Sequence, residues 1–117
     1  MAAFVDSIVI LQPQVILDRY SSVEKADWTK PPNRVEVPFR VAVQPVASSE
    51  GGPERPAVTT TWRLLTPPGR DLALRPKDRV EVNGEMTMSV VGDVARYRAG
   101  APGRVHHVRA ALERVSG

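Results

Sequence analysis

The chain has 117 residues, of which 42% are hydrophobic and 25% are charged, so its length fits one domain with a single modest core. It contains no cysteine, which excludes disulfides, thiolate metal sites and cysteine nucleophiles. The net charge is +3, and residues 61–117 hold the excess, with ten Lys and Arg against six Asp and Glu. A basic half is typical of solvated surface, of nucleic-acid contact or of ion pairs with neighbouring subunits.

The N-terminal residues predict β-structure. No apolar stretch is long enough to span a membrane, and no basic residue precedes the run "FVDSIVIL", so a first strand is favoured over a secretory signal. The segments "SIVIL" and "QVILDRY" indicate either one strand bent at Pro13 or two strands. The stretch "DRYSSVEKADW" then predicts a turn that returns the chain to Asp27 and Trp28.

The segment "RVEVPFRVAV", residues 34–43, alternates apolar and other residues over its whole length. One buried side is predicted, and it carries Val35, Val37, Phe39, Val41 and Val43. Pro38 cannot donate a hydrogen bond in a central ladder, so this single strand is expected at a sheet edge or with a bulge at Pro38.

Period-two patterns continue to the end of the chain. "VTTTWRLL" predicts a strand, "TPPGRD" a turn and "DLALRP" a short extended piece. Asn83-Gly84 predicts a tight hairpin between Asp78 and an exit at Gly92-Asp93. The last segment, "RVHHVRAALERV", fits a helix or a strand; the strand is favoured, with Val108, Ala110 and Leu112 inside, because its surroundings are β.

Together these elements predict an all-β fold: one small antiparallel β-barrel domain over residues 1–117, with one long mobile loop. That loop is residues 47–56, "ASSEGGPERP", which is longer than a hairpin needs. It is interpreted as either a disordered tip or a working loop.

No constellation of residues predicts catalysis, so a protein without enzymatic activity, cofactor or metal is expected. Adjacent strand residues point to opposite faces, which argues against metal binding by His106 and His107. The aspartates that accompany turns are expected to bond turn backbone, and they are Asp27, Asp71, Asp78 and Asp93. The six aromatic residues are scattered, which favours core or interface over stacking of bases.

The order of several short motifs carries a family resemblance. A "DRY" turn and "DW" precede a strand into "VQPVASSE", followed by "WRLLTPPGRDLALRPKDRVEVNGE", "VVGD" and a terminal "HHVRAALERVSG". In this order the chain resembles the head-to-tail stopper, or head-closure, family of long-tailed bacteriophages that infect actinobacteria. The resemblance covers nearly the whole chain and is sharpest over residues 62–98.

The resemblance implies a structural virion protein of the phage neck, made in the host cytoplasm. The expected ring of six or twelve copies would lie below the portal and adaptor and above the tail terminator and tail tube. It would close the DNA-filled head, dock the tail and later let the genome pass, with only non-specific DNA contact and no membrane partner. The alternatives are a neighbouring connector component, either adaptor or tail terminator, or a small β-barrel that binds nucleic acid.

Two sets of residues are candidate sites under this resemblance. The family implies a loop that projects into the channel, and the expected residues are Ser48, Ser49, Glu50, Gly51, Gly52, Pro53, Glu54 and Arg55. Head-to-tail contacts in a ring need two different matching surfaces on each subunit. Charged outer strand faces are expected to provide them, with Arg34, Glu36 and Arg40 on one face and Arg79 and Glu81 on another.

Overall fold

The computed structural model describes residues 3–17, 20, 23–50, 57–98 and 104–115, and in these ranges the chain forms nine β-strands and no helix. The strands are β1 Ile8–Gln12, β2 Gln14–Leu17, β3 Glu24–Asp27, β4 Asn33–Glu36, β5 Ala42–Glu50, β6 Ala57–Leu65, β7 Arg79–Val82, β8 Met86–Arg98 and β9 Val105–Arg114. The prediction of an all-β fold is confirmed. Within the described ranges, nothing helical is long and apolar enough to cross a membrane.

Seven strands form one antiparallel sheet in the order β4-β1-β7-β8-β9-β6-β5, and β2 and β3 form a separate two-stranded sheet. The large sheet is not closed into a barrel, because its two outermost strands, β4 and β5, are not paired with each other. One isolated antiparallel bridge, between Asp6 and Val41, joins the segments that lead into β1 and β5.

The predicted strand over residues 34–43 is two strands, so that prediction is wrong in its extent. β4 ends at Glu36, the chain bends at Pro38 and Phe39, and β5 begins at Ala42. The two strands lie at opposite edges of the sheet. The edge position expected from Pro38 is confirmed for β4. Pro38 itself lies between β4 and β5, where the chain crosses from one edge of the sheet to the other.

The β7–β8 hairpin turns at Asn83 and Gly84, as predicted, with positive φ angles of 53° and 68°. The turn is also tied to the N-terminal segment. The backbone N–H of Asn83 donates to the Ser7 carbonyl at 2.8 Å, and the Asn83 side-chain oxygen accepts the Ser7 N–H at 2.9 Å. The Asn83 amide nitrogen donates to Asp6 Oδ1 at 3.0 Å, so this side chain connects the hairpin to the chain that precedes β1.

The predicted exit of the hairpin at Gly92-Asp93 is wrong, because β8 continues through these residues to Arg98. The ladder with β9 shifts there: Val91 pairs with Ala111, whereas Ala95 pairs with Arg109, so four residues of β8 span two of β9. Gly92 has a φ of 72°, which is the left-handed conformation that bulges use. The glycine therefore bends a long strand instead of ending it.

The core lies on one face of the large sheet. The C-terminal segment is a strand, as favoured, and Val108, Ala110 and Leu112 are buried as predicted. Phe39 and Trp62 are partly buried against the same core. The buried apolar cluster comprises Ile8, Ile10, Val41, Val43, Leu64, Leu72, Leu74, Val80, Val82, Met88, Val90, Val108, Ala110 and Leu112.

Residues 66–78 connect β6 to β7 without strand structure, although Leu72 and Leu74 alternate with exposed neighbours as an extended piece would. Polar side chains supply the hydrogen bonds that a ladder would have made. The Arg96 guanidinium donates to the carbonyls of Leu72 and Leu74 at 2.9 and 3.2 Å. Buried Thr66 accepts the Val108 N–H at 2.7 Å. The arginine thus holds two core leucines in place.

The prediction of a loop over residues 47–56 is wrong for its first four residues. Residues 47–50 continue β5, and Ser48, Ser49 and Glu50 pair with Thr59, Val58 and Ala57 of β6. The remaining predicted channel-loop residues, Gly51, Gly52, Pro53, Glu54 and Arg55, lie outside the described residues.

Candidate functional site

The charged residues predicted for subunit contacts lie mainly on one face, not two, because β1 inserts between β4 and β7. In the register of the sheet, Val9 pairs with both Glu36 and Glu81. Leu11 likewise pairs with both Arg34 and Arg79. The prediction of two separate faces is therefore wrong for these strands. We call this surface, formed by Arg34, Glu36, Arg79 and Glu81, the charged face.

Arg34 and Glu81 are paired within the subunit. The Arg34 Nη2 donates to Glu81 Oε1 at 2.9 Å, and Nη1 donates to Oε2 at 3.2 Å, which is a bidentate geometry. Hydrogen bonding from Arg34 lowers the pKa of Glu81, and the carboxylate in turn raises the pKa of Arg34. These two residues hold β4 and β7 together across β1 and are already matched inside one copy of the chain.

The other predicted contact residues differ in how many contacts they make within the subunit. The Arg79 guanidinium lies over the Trp28 ring, 4.1 Å from its centroid, in a cation–π contact. Arg40 lies in the bend before β5, where its Nη1 contacts the Val5 carbonyl at 3.5 Å. Glu36 and Arg40 are both exposed. Of the five predicted residues, Arg34 is exposed as well, whereas Arg79 and Glu81 are half-buried.

The most exposed apolar surface is one that sequence reasoning did not select as a site. We call residues 14–17 and 23–27, the paired strands β2 and β3 with Val23, the arm. All four residues of β2 are exposed, including Val15, Ile16 and Leu17. Of the two alternatives for the N-terminal segment, the structure has two strands, β1 and β2, on either side of Pro13. The pairing of β2 with β3 confirms the predicted return of the chain to Asp27. The signal in the sequence was "QVIL", an apolar run that is matched in the β3 sequence "EKAD" only by the small residue Ala26.

The base of the arm is fixed to the large sheet by several contacts. Trp28, which follows β3, lies against Arg79 on the charged face. Gln14 Nε2 donates to the Pro31 carbonyl at 3.0 Å, which ties β2 to the segment that leads into β4. Higher on the arm, Lys77 Nζ lies 3.7 Å from Glu24 Oε2. The end of the arm at Gln14 and Asp27, which we call its root, is therefore fixed, while the apolar side chains of the arm face solvent.

The aspartates beside turns act as predicted for Asp27 and Asp78. The Thr29 hydroxyl and N–H both donate to Asp27 Oδ1, and these bonds lower the pKa of Asp27. Buried Asp78 accepts the Arg75 N–H at 3.0 Å. Asp71 accepts the Leu72 N–H at 2.8 Å and lies 3.4 Å from Arg96 Nε. These carboxylates have structural partners and are not arranged around a common point.

His106 and His107 meet, although alternation along a strand predicts opposite directions. Their Nδ1 atoms are 2.8 Å apart, so one imidazole donates to the other. The His107 ring also stacks on Tyr97, with centroids 4.5 Å apart. Burial lowers the pKa of His107, and the charges of His106 and Arg109 act in the same direction. Across the described ranges, no three His, Cys, Asp or Glu side chains are grouped to hold a metal.

The comparisons with known proteins identify no relative. No family model matches the chain, and neither a curated protein nor a solved structure matches it. Support for a function therefore comes from the order of motifs in the chain and from the surfaces described above.

Proposed function

We propose that the chain is a structural protein of the phage neck and acts there as a ring-forming head-to-tail stopper. In this role it closes the DNA-filled head below the portal and adaptor, and it docks the tail. The order of motifs in the sequence suggests the role, and one structural observation supports it: the chain exposes more surface than a monomer of its size does.

The accessible surface is 8080 Å² for a chain of 12.8 kDa. A compact monomer of that mass exposes about 6,300 Å². The radius of gyration is 16.1 Å, whereas a compact domain of this length has about 13 Å. The excess area is about 1,800 Å², so the chain is less compact than an ordinary monomer and has surface available to neighbouring subunits in a ring.

We also infer that the large sheet curls toward a barrel in the assembled ring. The Asp6–Val41 bridge supports this, because it joins the segments leading into β1 and β5, from opposite sides of the sheet. Asp6 extends the connection, since its Oδ2 accepts the Val43 N–H at 2.9 Å. The ends of the sheet are thus linked at one point, from which further closure can proceed.

The test uses the phage whose genome encodes this chain. An amber mutation in the gene is expected to yield DNA-filled heads and separate tails, and addition of the purified chain to such heads should restore tail attachment. A density map of the neck should place the chain as a ring between adaptor and tail terminator. Infectious tailed particles that lack the chain would exclude the neck role, and a ring at another level would assign it to a neighbouring connector component.

Nucleic-acid binding is the alternative that a solution measurement separates. The ring of Tyr97 is exposed but already contacts His107 and Arg109 within the chain. We therefore expect no shift in DNA mobility at physiological salt. A shift that weakens steeply as salt increases would favour the nucleic-acid alternative.

A further inference from the structure

The arm carries large apolar side chains that the described part of the subunit leaves substantially exposed. The exposed fractions are 44% for Val15, 49% for Ile16, 65% for Leu17 and 55% for Val23. Val15 and Leu17 face one side of the two-stranded sheet and Ile16 the other, because successive strand residues alternate. Both sides of the arm are therefore apolar and in contact with water, unlike the single buried face of the large sheet.

An exposed two-stranded hairpin is marginally stable in water by itself. Each strand of the arm has four residues and pairs only with the other, so neither is held in a wider ladder. The contacts of Trp28 and Gln14 fix the root, and Lys77 pairs with Glu24, the register partner of Leu17. The apolar side chains of residues 15–17 nevertheless remain exposed. Such a patch is typical of a surface that a partner covers.

We propose that the arm of each copy packs against the adjacent copy of this chain and buries Val15, Ile16 and Leu17 in the subunit interface. This inference rests on the proposed ring and names its lateral contact. One observation favours a second copy as the occupant: the chain exposes about 1,800 Å² more surface than a compact monomer of its mass, and the exposed apolar arm is part of that surface. In the proposed closed ring, one arm per copy is enough to serve every interface.

The first test is site-specific crosslinking. The chain has no cysteine, so Leu17→Cys introduces one thiol that a benzophenone maleimide labels without competition. Labelled chain is added to heads that lack it, tails are attached, and the particles are irradiated. A ladder of covalent multimers of this chain is expected. Glu85→Cys, at the exposed β7–β8 turn, is the matched control and is expected to give at least ten-fold less of the multimers.

Crosslinks from position 17 only to another virion protein, or none at all, would overturn the inference. The proposed function would survive that result, since incorporation of the chain into the neck is measured separately by mass spectrometry. If the chain is absent from virions, the labelled chain is irradiated alone at high concentration. Multimers linked through position 17 would then support the arm as a self-association surface, and their absence would reject it.

The second test separates interface from folding. Because residues 16 and 17 are exposed in the subunit, the double variant Ile16→Asp, Leu17→Asp should keep the urea midpoint of the parent chain. Its ability to restore tail attachment should fall at least ten-fold, whereas the matched surface variant Glu85→Lys should retain it. A double variant that folds and restores attachment fully would contradict the inference.

Discussion

The large sheet and the arm are built from the same kind of residues but differ in what covers them. In the sheet, Leu64, Met88 and Leu112 lie in a core formed by several strands and by the leucines of the 66–78 segment. In the arm, Val15, Ile16 and Leu17 face water, and four backbone pairs hold the strands. The contrast teaches that the sheet is stable by its own packing, whereas the arm depends on the contacts at its root and, as we propose, on a partner.

Amide hydrogen exchange should show the largest difference between the two regions. In the dilute chain, amides of β8 and β9 should exchange at least about a thousand-fold more slowly than those of residues 15–17, because core strands open only with global unfolding. Exchange is measured residue by residue by NMR. Equal protection in both regions would show that the arm is as stable as the sheet and would break the comparison.

Substitution of one leucine in each region should give the next largest effect. Leu64 is fully buried, so Leu64→Ala should lower the free energy of unfolding by about 2–5 kcal/mol. Leu17→Ala should change it by less than about 0.5 kcal/mol, as for other exposed sites. Urea titration measures both. A large loss for Leu17→Ala would mean that the arm packs on the sheet within the monomer.

The β7–β8 turn should show an intermediate effect. Asn83→Ala removes three hydrogen bonds to residues 6 and 7, counting the weak contact with the Ser7 hydroxyl, and places alanine at a positive φ. We expect a loss of about 1–3 kcal/mol in the free energy of unfolding. The neighbouring Glu85→Ala, which is exposed, serves as control and should have little effect. Similar midpoints for both variants would show that the link to the N-terminal segment contributes no stability.

The Arg34–Glu81 pair should give the smallest effect, and one that depends on pH. Because the folded pKa of Glu81 is lowered, the pair stabilises the fold above the carboxyl pKa of the unfolded chain. That contribution is lost as the pH falls through the folded pKa. In urea titrations from pH 7 to pH 3, Glu81→Gln should therefore lose less stability than the parent chain. Identical profiles would mean that the pair is too exposed to matter.

Much of the fold was predictable from alternation, and the failures have physical causes. The buried rows of β7, β8 and β9 followed period two because one face packs on the core while the other is solvated. The prediction of a single strand over residues 34–43 was wrong because the apolar alternation continues through Pro38, whereas the chain there crosses from one edge of the sheet to the other. The exit of the hairpin predicted at Gly92 is wrong because a glycine with a positive φ fits a bulge within a strand as well as a turn that ends one.

The candidate surfaces were less predictable, because they depend on which strands are neighbours. Arg34 and Glu81 are 47 residues apart, and only the insertion of β1 between β4 and β7 brings them together. The apolar arm was visible as "QVIL", but sequence alone could not show that the large sheet leaves it uncovered. His106 and His107 meet where the β8–β9 register shifts, since Tyr97 pairs with His107 and Arg98 with Val105, and alternation along a regular strand does not predict such a shift.

The position of β1 between β4 and β7 has a consequence for how the chain acquires its structure. β1 begins at Ile8, but one of its two neighbouring strands is β7, at residues 79–82. The hydrogen bond from the Ser7 N–H likewise needs Asn83. The ribosome must therefore release more than two thirds of the polypeptide before the first strand can find its second partner. Such a high contact order implies folding in milliseconds to seconds after synthesis, rather than stepwise folding as the chain emerges.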